Sequence, residues 1–285
     1  MAKGNILQAR FTLARDRYKH RLIASVEGEV GLGKTHFGCT GRAPVLVQSI
    51  DHGTEGTIEK FRNGEVDTKE IYEEVYEWEA AGLILDPDDD DNKDMDADAL
   101  TAKQEKMIQE SAIEVRDKWE RDLTYAVKNG IGTVVEDTES RIWQCYRYAE
   151  FGGPNGDNPR DYDKLNGRFE RIVNICKKSD CNLILVRSMK DKWGMVPGKM
   201  KSSFGKKGRE AWGYEHMPGC VNEEFVFTMR TPKEEEEAGD GFGPVVIRVG
   251  KCRISPKCQF SVMPRGTIAE VGMWLVPESD EEDWQ

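Results

Sequence analysis

Short apolar runs alternate with longer polar or helix-spaced segments along this chain. Leu22-Ile23-Ala24-Ser25-Val26 has strand length, and His36-Phe37-Gly38-Cys39 can begin a helix after an intervening glycine-rich turn. A second run, Val45-Leu46-Val47-Gln48-Ser49-Ile50, ends in the polar turn Asp51-His52-Gly53-Thr54-Glu55-Gly56, and helix-like acidic sequence is expected from there to about Ala81. Between Ala99 and Lys128 helical spacing puts Ile108, Ala112, Val115, Trp119, Leu123 and Val127 on roughly one face. Gly132 to Thr138 reads as a third strand and Cys181 to Ser188 as a fourth. Between them come a Gly/Pro/Asn/Asp loop from Gly152 to Asp163 and a helix from Leu165 to Lys178. Glu223 to Met229 and Val245 to Val249 read as a hairpin-like strand pair around an acidic loop. Strand and helix in alternation predict an α/β fold, a mostly parallel sheet with helices on both faces.

The 285 residues suffice for one large α/β domain or for a domain with an insertion, and 38% hydrophobic content supports a sizeable core. A net charge of −11 and a pI near 5.1 argue against a generally basic nucleic-acid binder. The charge is segregated, however, and a local basic site stays open. The aspartate run from Asp86 to Asp98 lacks the central Gly and closing Glu of a calcium loop, and reads as a solvated loop. The seven cysteines are scattered, without C-x-x-C or zinc-finger spacing, which suits reduced cytoplasmic thiols. No run of about 18 apolar residues is present, so no membrane span is expected. The N-terminus lacks the apolar core of a signal peptide.

The chemistry concentrates in Gly28-Glu29-Val30-Gly31-Leu32-Gly33-Lys34-Thr35, which fits G-x-x-x-x-G-K-[ST] between a strand and a helix. Glycines allow successive backbone N–H groups to cradle phosphate oxygens. Lys34 can reach the β- and γ-phosphates, the Thr35 hydroxyl can hold Mg²⁺, and the helix start that includes His36 offers its positive end to the same anion. The strand Gly132-Thr133-Val134-Val135-Glu136-Asp137-Thr138 ends in acids, as required to complete a Mg²⁺ shell beside such a loop. Asp137 is the preferred metal residue. Glu136 is its rival and points to the opposite face of the strand.

In this order the pieces resemble the RecA-like ATPases of bacteriophages, the single-strand annealing group called the fourth Sak family in particular. The resemblance runs from about Lys19 to Thr228. It is carried by GEVGLGKT, IDHGTEGTIEKF, GTVVEDTES and DYDKLNGRFERIVNICKKSDCNLILVRSMKDKW. It implies a RecA-like P-loop core over residues 19–230 with an acidic insertion at about 82–100. A basic arm (1–18) precedes the core; a small β-rich part (231–276) and an acidic tail (277–285) ending in Trp284-Gln285 follow it. The resemblance also implies ATP and Mg²⁺ as ligands, Glu55 or Asp51 as the acid that positions water, and Ser188 as a γ-phosphate sensor. Single-stranded DNA is expected along the basic, aromatic-bearing stretch 189–214, through Lys190, Lys192, Trp193, Lys199, Lys201, Phe204, Lys206, Lys207 and Arg209. Lysines there neutralise phosphates and rings stack on unpaired bases. Sites of this family lie between subunits, which implies a ring or filament in the cytoplasm of a bacterial host, with Lys190 or Lys192 as a charge supplied to a neighbour. The tail resembles the tips of single-strand-binding proteins, which compete with DNA or dock partners such as other recombination or replication factors. The alternatives are a helicase-like or loader motor, a small-molecule kinase, and a nucleotide-gated interaction protein with little turnover.

Overall fold

The computed structural model describes residues 20–50, 54, 56–62, 70–78, 83–87, 89, 91–154, 160–196, 203–238 and 243–284, with the side chains of 62, 192–196 and 203–209 outside the description. Along the chain run β1 (Ile23–Gly28), α1 (Lys34–Cys39), β2 (Val45–Ser49), α2 (Ile58–Arg62), β3 (Ile71–Val75), α3 (Ala97–Lys128), β4 (Thr133–Asp137), α4 (Glu139–Phe151) and α5 (Asp161–Lys178). They are followed by β5 (Asn182–Arg187), β6 (Met189–Val196), β7 (Ser203–Ala211), α6 (Met217–Cys220), β8 (Glu223–Met229), α7 (Pro232–Ala238), β9 (Val245–Cys252), β10 (Val262–Pro264) and α8 (Ile268–Leu275).

One sheet organises the molecule, in the order β10-β9-β8-β1-β5-β4-β2-β3. The strands from β8 to β3 are parallel, and β9 and β10 extend the β8 side as an antiparallel meander. β4 and β5 are buried at every position, because interior parallel strands are covered on both faces and carry near-continuous apolar runs. Their alternating side chains divide between two cores. Ile23, Val134, Leu183 and Leu185 meet α3, α4 and α5 on one face; Ala24, Val26, Val135, Ile184 and Val186 meet α1, α2 and α8 on the other. The first core is aromatic: Trp119 stacks on Phe169, and Trp143 contacts Phe169 edge-on and Tyr214 at 4.7 Å between ring centres.

Several expectations change. The stretch expected to be helical up to Ala81 holds only the short α2 before it becomes β3, an edge strand paired to β2. Edge strands tolerate charge, and Glu74 of β3 pairs with Lys118 of α3. The aspartate run delivers Asp96 as the cap of α3, its carboxylate accepting from the Ala99 amide at 2.8 Å. That cap starts the helix at Ala97. The basic stretch after Ser188 forms, in its described part, a two-stranded antiparallel ribbon of β6 and β7, separate from the main sheet. β9, β10 and α8 join the main sheet and the second core. All seven cysteines are free thiols, six of them buried.

The acidic C-terminal segment is also different from an open tail. Trp284 is 1% exposed, its indole N–H donates to Ser279 Oγ at 2.8 Å, and it lies in the core with α8. A Cβ on Gly272 would run into the Trp284 ring. The aromatic tip is thus a core residue of this chain. Trp284→Ala is expected to cost about 3–5 kcal/mol, as for other buried aromatics, read as a lower midpoint in denaturant. A midpoint equal to that of the parent chain would return Trp284 to the surface.

Glu223, at the start of β8, has no exposed surface. Burial pushes its carboxyl up from 4.5 to about 8. The folded chain therefore holds this proton more tightly than the unfolded chain. Its contribution to stability is full below about 4.5 and is lost as pH rises through about 8. The melting temperature is expected to fall between pH 6 and 9, and to fall less in Glu223→Gln. Equal slopes in the two proteins would remove Glu223 from the pH dependence.

Candidate functional site

Parallel strands that end at one edge of a sheet bring their following loops together there. β1 leads into the glycine-rich loop and α1, β4 ends at Asp137, and β5 lies between them and leads to Ser188. The loop needs its glycines for definite reasons. Gly28 has φ 146°, and a Cβ on it would sit 2.5 Å from the Phe227 carbonyl oxygen of neighbouring β8. Gly33 has φ 82° and begins α1 in the left-handed region, its carbonyl accepting from the Phe37 amide at 2.9 Å.

The turn buries Lys34. Its ammonium donates to the carbonyls of Gly28 at 2.9 Å and Glu29 at 2.8 Å. Burial lowers its pKa, and the charges of Asp137 and Glu29 oppose that shift. The next residue reaches across the edge: Thr35 Oγ1 donates to Asp137 Oδ2 at 2.6 Å. Two segments about a hundred residues apart in sequence so place a hydroxyl and a carboxylate in direct contact.

A cavity of about 610 Å³ opens over this contact. Of the residues singled out in the sequence, Gly28, Glu29, Val30, Gly31, Gly33, Lys34, Thr35, His36, Asp137 and Ser188 line it. Leu32 does not; it is buried in the second core. Glu136 faces the opposite side of β4, where its fully buried carboxylate accepts from the Trp119 indole and burial drives its pKa well above the ordinary range. Glu55 and Asp51 lie outside the described residues, although Gly56 and Thr57, just after Glu55, line the cavity. Of the DNA candidates, Lys190 is exposed beside Glu210 at 3.7 Å, near the base of the ribbon. Lys192 and Trp193 have backbone in β6, and Phe204, Lys206, Lys207 and Arg209 have backbone in β7, with side chains outside the description. Lys199 and Lys201 lie outside it altogether.

Other residues join the cavity without having been singled out. Thr138 lines it, and its buried hydroxyl has no hydrogen-bond partner among the described residues. Lys60 comes from α2, within the IDHGTEGTIEKF segment. Arg265 arrives from the link between β10 and α8, with Nη1 3.5 Å from the Leu32 carbonyl. Burial, Arg265 and Lys60 together lower the pKa of His36 and favour its neutral form. Lys34, Lys60 and Arg265 give the cavity three cations against Glu29 and Asp137, a balance suited to a polyanion.

Among the described residues no group of three or more His, Cys, Asp or Glu is placed to hold a metal by itself. A hydroxyl and one carboxylate in contact do fit Mg²⁺, which takes one or two carboxylates, keeps several waters and fills its shell with ligand phosphate oxygens.

Below the cavity a buried network fixes the strand ends. Arg187 Nη1 pairs with Glu27 at 2.7 Å, Arg187 Nε lies 3.3 Å from Glu139, and Arg187 Nη2 donates to the Tyr214 carbonyl at 3.2 Å. Burial pushes Glu139 up to about 7, against the pull of Arg187 and of the Tyr214 amide that donates to it.

The loop geometry separates two glycine substitutions. Gly28→Ala meets both a disallowed φ and the Phe227 carbonyl, whereas Gly31→Ala meets a φ of 84° with open space around it. Gly28→Ala is expected to lower unfolding free energy by more than the roughly 1–3 kcal/mol of a single strained residue, and Gly31→Ala by no more than that. Chemical denaturation compares them, and the reverse order would mean that β1 does not pack on β8 at Gly28. No protein-family model matches the chain, and no curated protein matches its sequence, so the functional reading rests on these residues and their geometry.

Proposed function

We propose that the chain is a Mg²⁺-dependent ATPase with a RecA-like core that binds single-stranded DNA, of the annealing or strand-exchange type, in phage recombination or replication. The observation that carries the reading is the 2.6 Å contact of Thr35 with Asp137 at the floor of the cavity, beside the ammonium of Lys34. Hydrolysis of a nucleoside triphosphate needs a cation at the β/γ-phosphates, two hard oxygens for a divalent ion, and a carboxylate for water. The strand order, with β5 between β1 and β4, is compatible with this fold.

In this reading the backbone amides of residues 28–35 hold the phosphates. Lys34 leaves the carbonyls of Gly28 and Glu29 for the β/γ-bridge, where its charge meets the charge that develops on the leaving oxygen. Thr35 and Asp137 would hold Mg²⁺, which when bound would neutralise charge on the phosphate oxygens. The Glu55 carboxylate, or that of Asp51, orients water and accepts its proton as the water oxygen bonds to the γ-phosphorus. The P–O bond to the β-phosphate then breaks, releasing ADP and phosphate. Ser188 contacts the γ-phosphate. Arg265 and Lys60 face the outer phosphates and the remainder of the nucleotide from the other wall.

The ribbon of β6 and β7 and the residues at its base are assigned to DNA, and self-association into a ring or filament would bring Lys190 or Lys192 toward a neighbour's nucleotide. Among the described residues no helix is long and apolar enough to cross a membrane. Phosphate release measured with and without single-stranded DNA tests the whole reading, and stimulation by the strand is expected. Lys34→Ala is expected to reduce phosphate release by about 10²-fold or more, and Asp137→Asn to abolish Mg²⁺-dependent phosphate release. Glu136→Gln, altered on the opposite face of the strand, should be much milder. Near-normal turnover in a folded Lys34→Ala chain would overturn the enzyme reading.

A further inference from the structure

A second cavity, of about 410 Å³, lies between α4, α5 and the segment that follows β7. That volume falls in the range of about 300–1,000 Å³ typical of small-molecule sites. Trp212 and Tyr162 line the cavity with aromatic rings, and Tyr214 closes the inner side against the aromatic core. Arg147 lines the cavity and brings a guanidinium cation to it. Lys190 adds a cation at the base of the ribbon, and Asn166 an amide. Asp163 and Glu215, both exposed at the rim, can accept from the amino groups that bases carry on their edges. Aromatic rings, a guanidinium and a nearby ammonium are what one unit of an unpaired strand requires: a stacked base and a neutralised phosphate.

The wall of this cavity is bonded directly to the floor of the first. The Trp212 amide donates to the Ser188 carbonyl at 2.8 Å. The Ser140 hydroxyl donates to the Trp212 carbonyl at 2.6 Å and accepts from the Ser188 amide at 3.0 Å. Two residues further on, the Tyr214 amide donates to Glu139 at 2.9 Å, and the Tyr214 carbonyl accepts from Arg187. Ser188 lines the first cavity together with Asp137 and Thr138, which lie two residues and one residue before Glu139. The Trp212 backbone and Ser188 are thus joined through Ser140 in a single shared ring of hydrogen bonds.

We propose that this second cavity seats an unpaired nucleobase with its adjoining phosphate, and that Ser140 couples its occupancy to the nucleotide cavity through Trp212 and Ser188. The inference rests on the single-strand part of the proposed function and assigns it a definite pocket and a route. Trp212 and Arg147 are its contact residues; Ser140 is a positioning residue.

Binding of a short fluorescent mixed-sequence single strand to the full chain, followed by anisotropy without added nucleotide, tests the pocket. Trp212→Ala and Arg147→Ala are each expected to weaken it roughly tenfold. Trp212→Phe, which keeps a stacking ring, is expected to stay close to the parent chain. Tyr125→Ala, an exposed ring on α3, should change nothing. A loss in Trp212→Phe as large as in Trp212→Ala would make Trp212 a packing residue and overturn the proposal. So would parental affinity in both alanine variants, which would leave the strand bound elsewhere and the proposed function standing. Absence of strand binding by the parent chain would overturn both. A deoxynucleoside monophosphate that displaces the strand at equal base concentration would make the pocket one for free nucleotides and would also overturn the proposal. For the coupling, Ser140→Ala is expected to bind the strand while its phosphate release no longer responds to it. A preserved response would remove Ser140 from the route.

Discussion

The guanidinium of Arg187 lies buried between the carboxylates of Glu27 and Glu139, and the geometry of both cavities depends on it. A charge in that position is tolerable only with its partners in place, since removal of one leaves another uncompensated. The partners come from different elements. Glu27 immediately precedes Gly28 on β1, Glu139 opens α4 two residues after Asp137, and Arg187 immediately precedes Ser188. One ion cluster thereby sets the mutual positions of the glycine-rich loop, the Asp137 carboxylate and the end of β5. Its third contact, to the Tyr214 carbonyl, extends the same constraint to the wall of the second cavity. Neither Glu27 nor Arg187 lines the first cavity, yet their loss should alter it, because the residues that do line it are their immediate neighbours.

Much of the sheet was legible in the sequence because its interior strands are covered on both faces. β1, β2, β4, β5 and β8 each fall within a residue or two of the apolar runs, and the register of β4 follows from strand periodicity alone. β3 was not legible: an edge strand of Ile-Tyr-Glu-Glu-Val carries acids where an interior strand would carry aliphatics, and reads as helix. α4 is separated from β4 only by Thr138, without a turn signal between them, and so no separate element announced itself.

The site divides along the same line. Lys34, Thr35 and Asp137 sit in local patterns whose spacing is itself chemical information. Arg265 and Thr138 carry no local pattern. Arg265 reaches the loop only because β10 and α8 fold back across more than two hundred residues, anchored where the Ile268 amide donates to Thr40 at 2.9 Å. Trp284 is a similar case. Its neighbours are acidic and its surroundings in sequence resemble a solvent-exposed tail; what buries it is the space left by Gly272, on another element.

The position of β1 between β5 and β8 also has a consequence for how the chain is made. Of the described strands β1 leaves the ribosome earliest, and it is flanked in the sheet by strands that start only at Asn182 and Glu223. At the usual elongation rates of about 5–20 residues per second, β1 waits on the order of 10–40 s before both of its edges are paired. During that interval an apolar strand with open hydrogen-bonding groups is attached to a growing polymer, the circumstance in which chains engage chaperones or one another. The glycine-rich loop that β1 carries cannot take its final shape earlier, since Gly28 is packed against Phe227 of the last of those partners. Nascent chains shorter than about that length are thus a natural population in which to look for chaperone dependence.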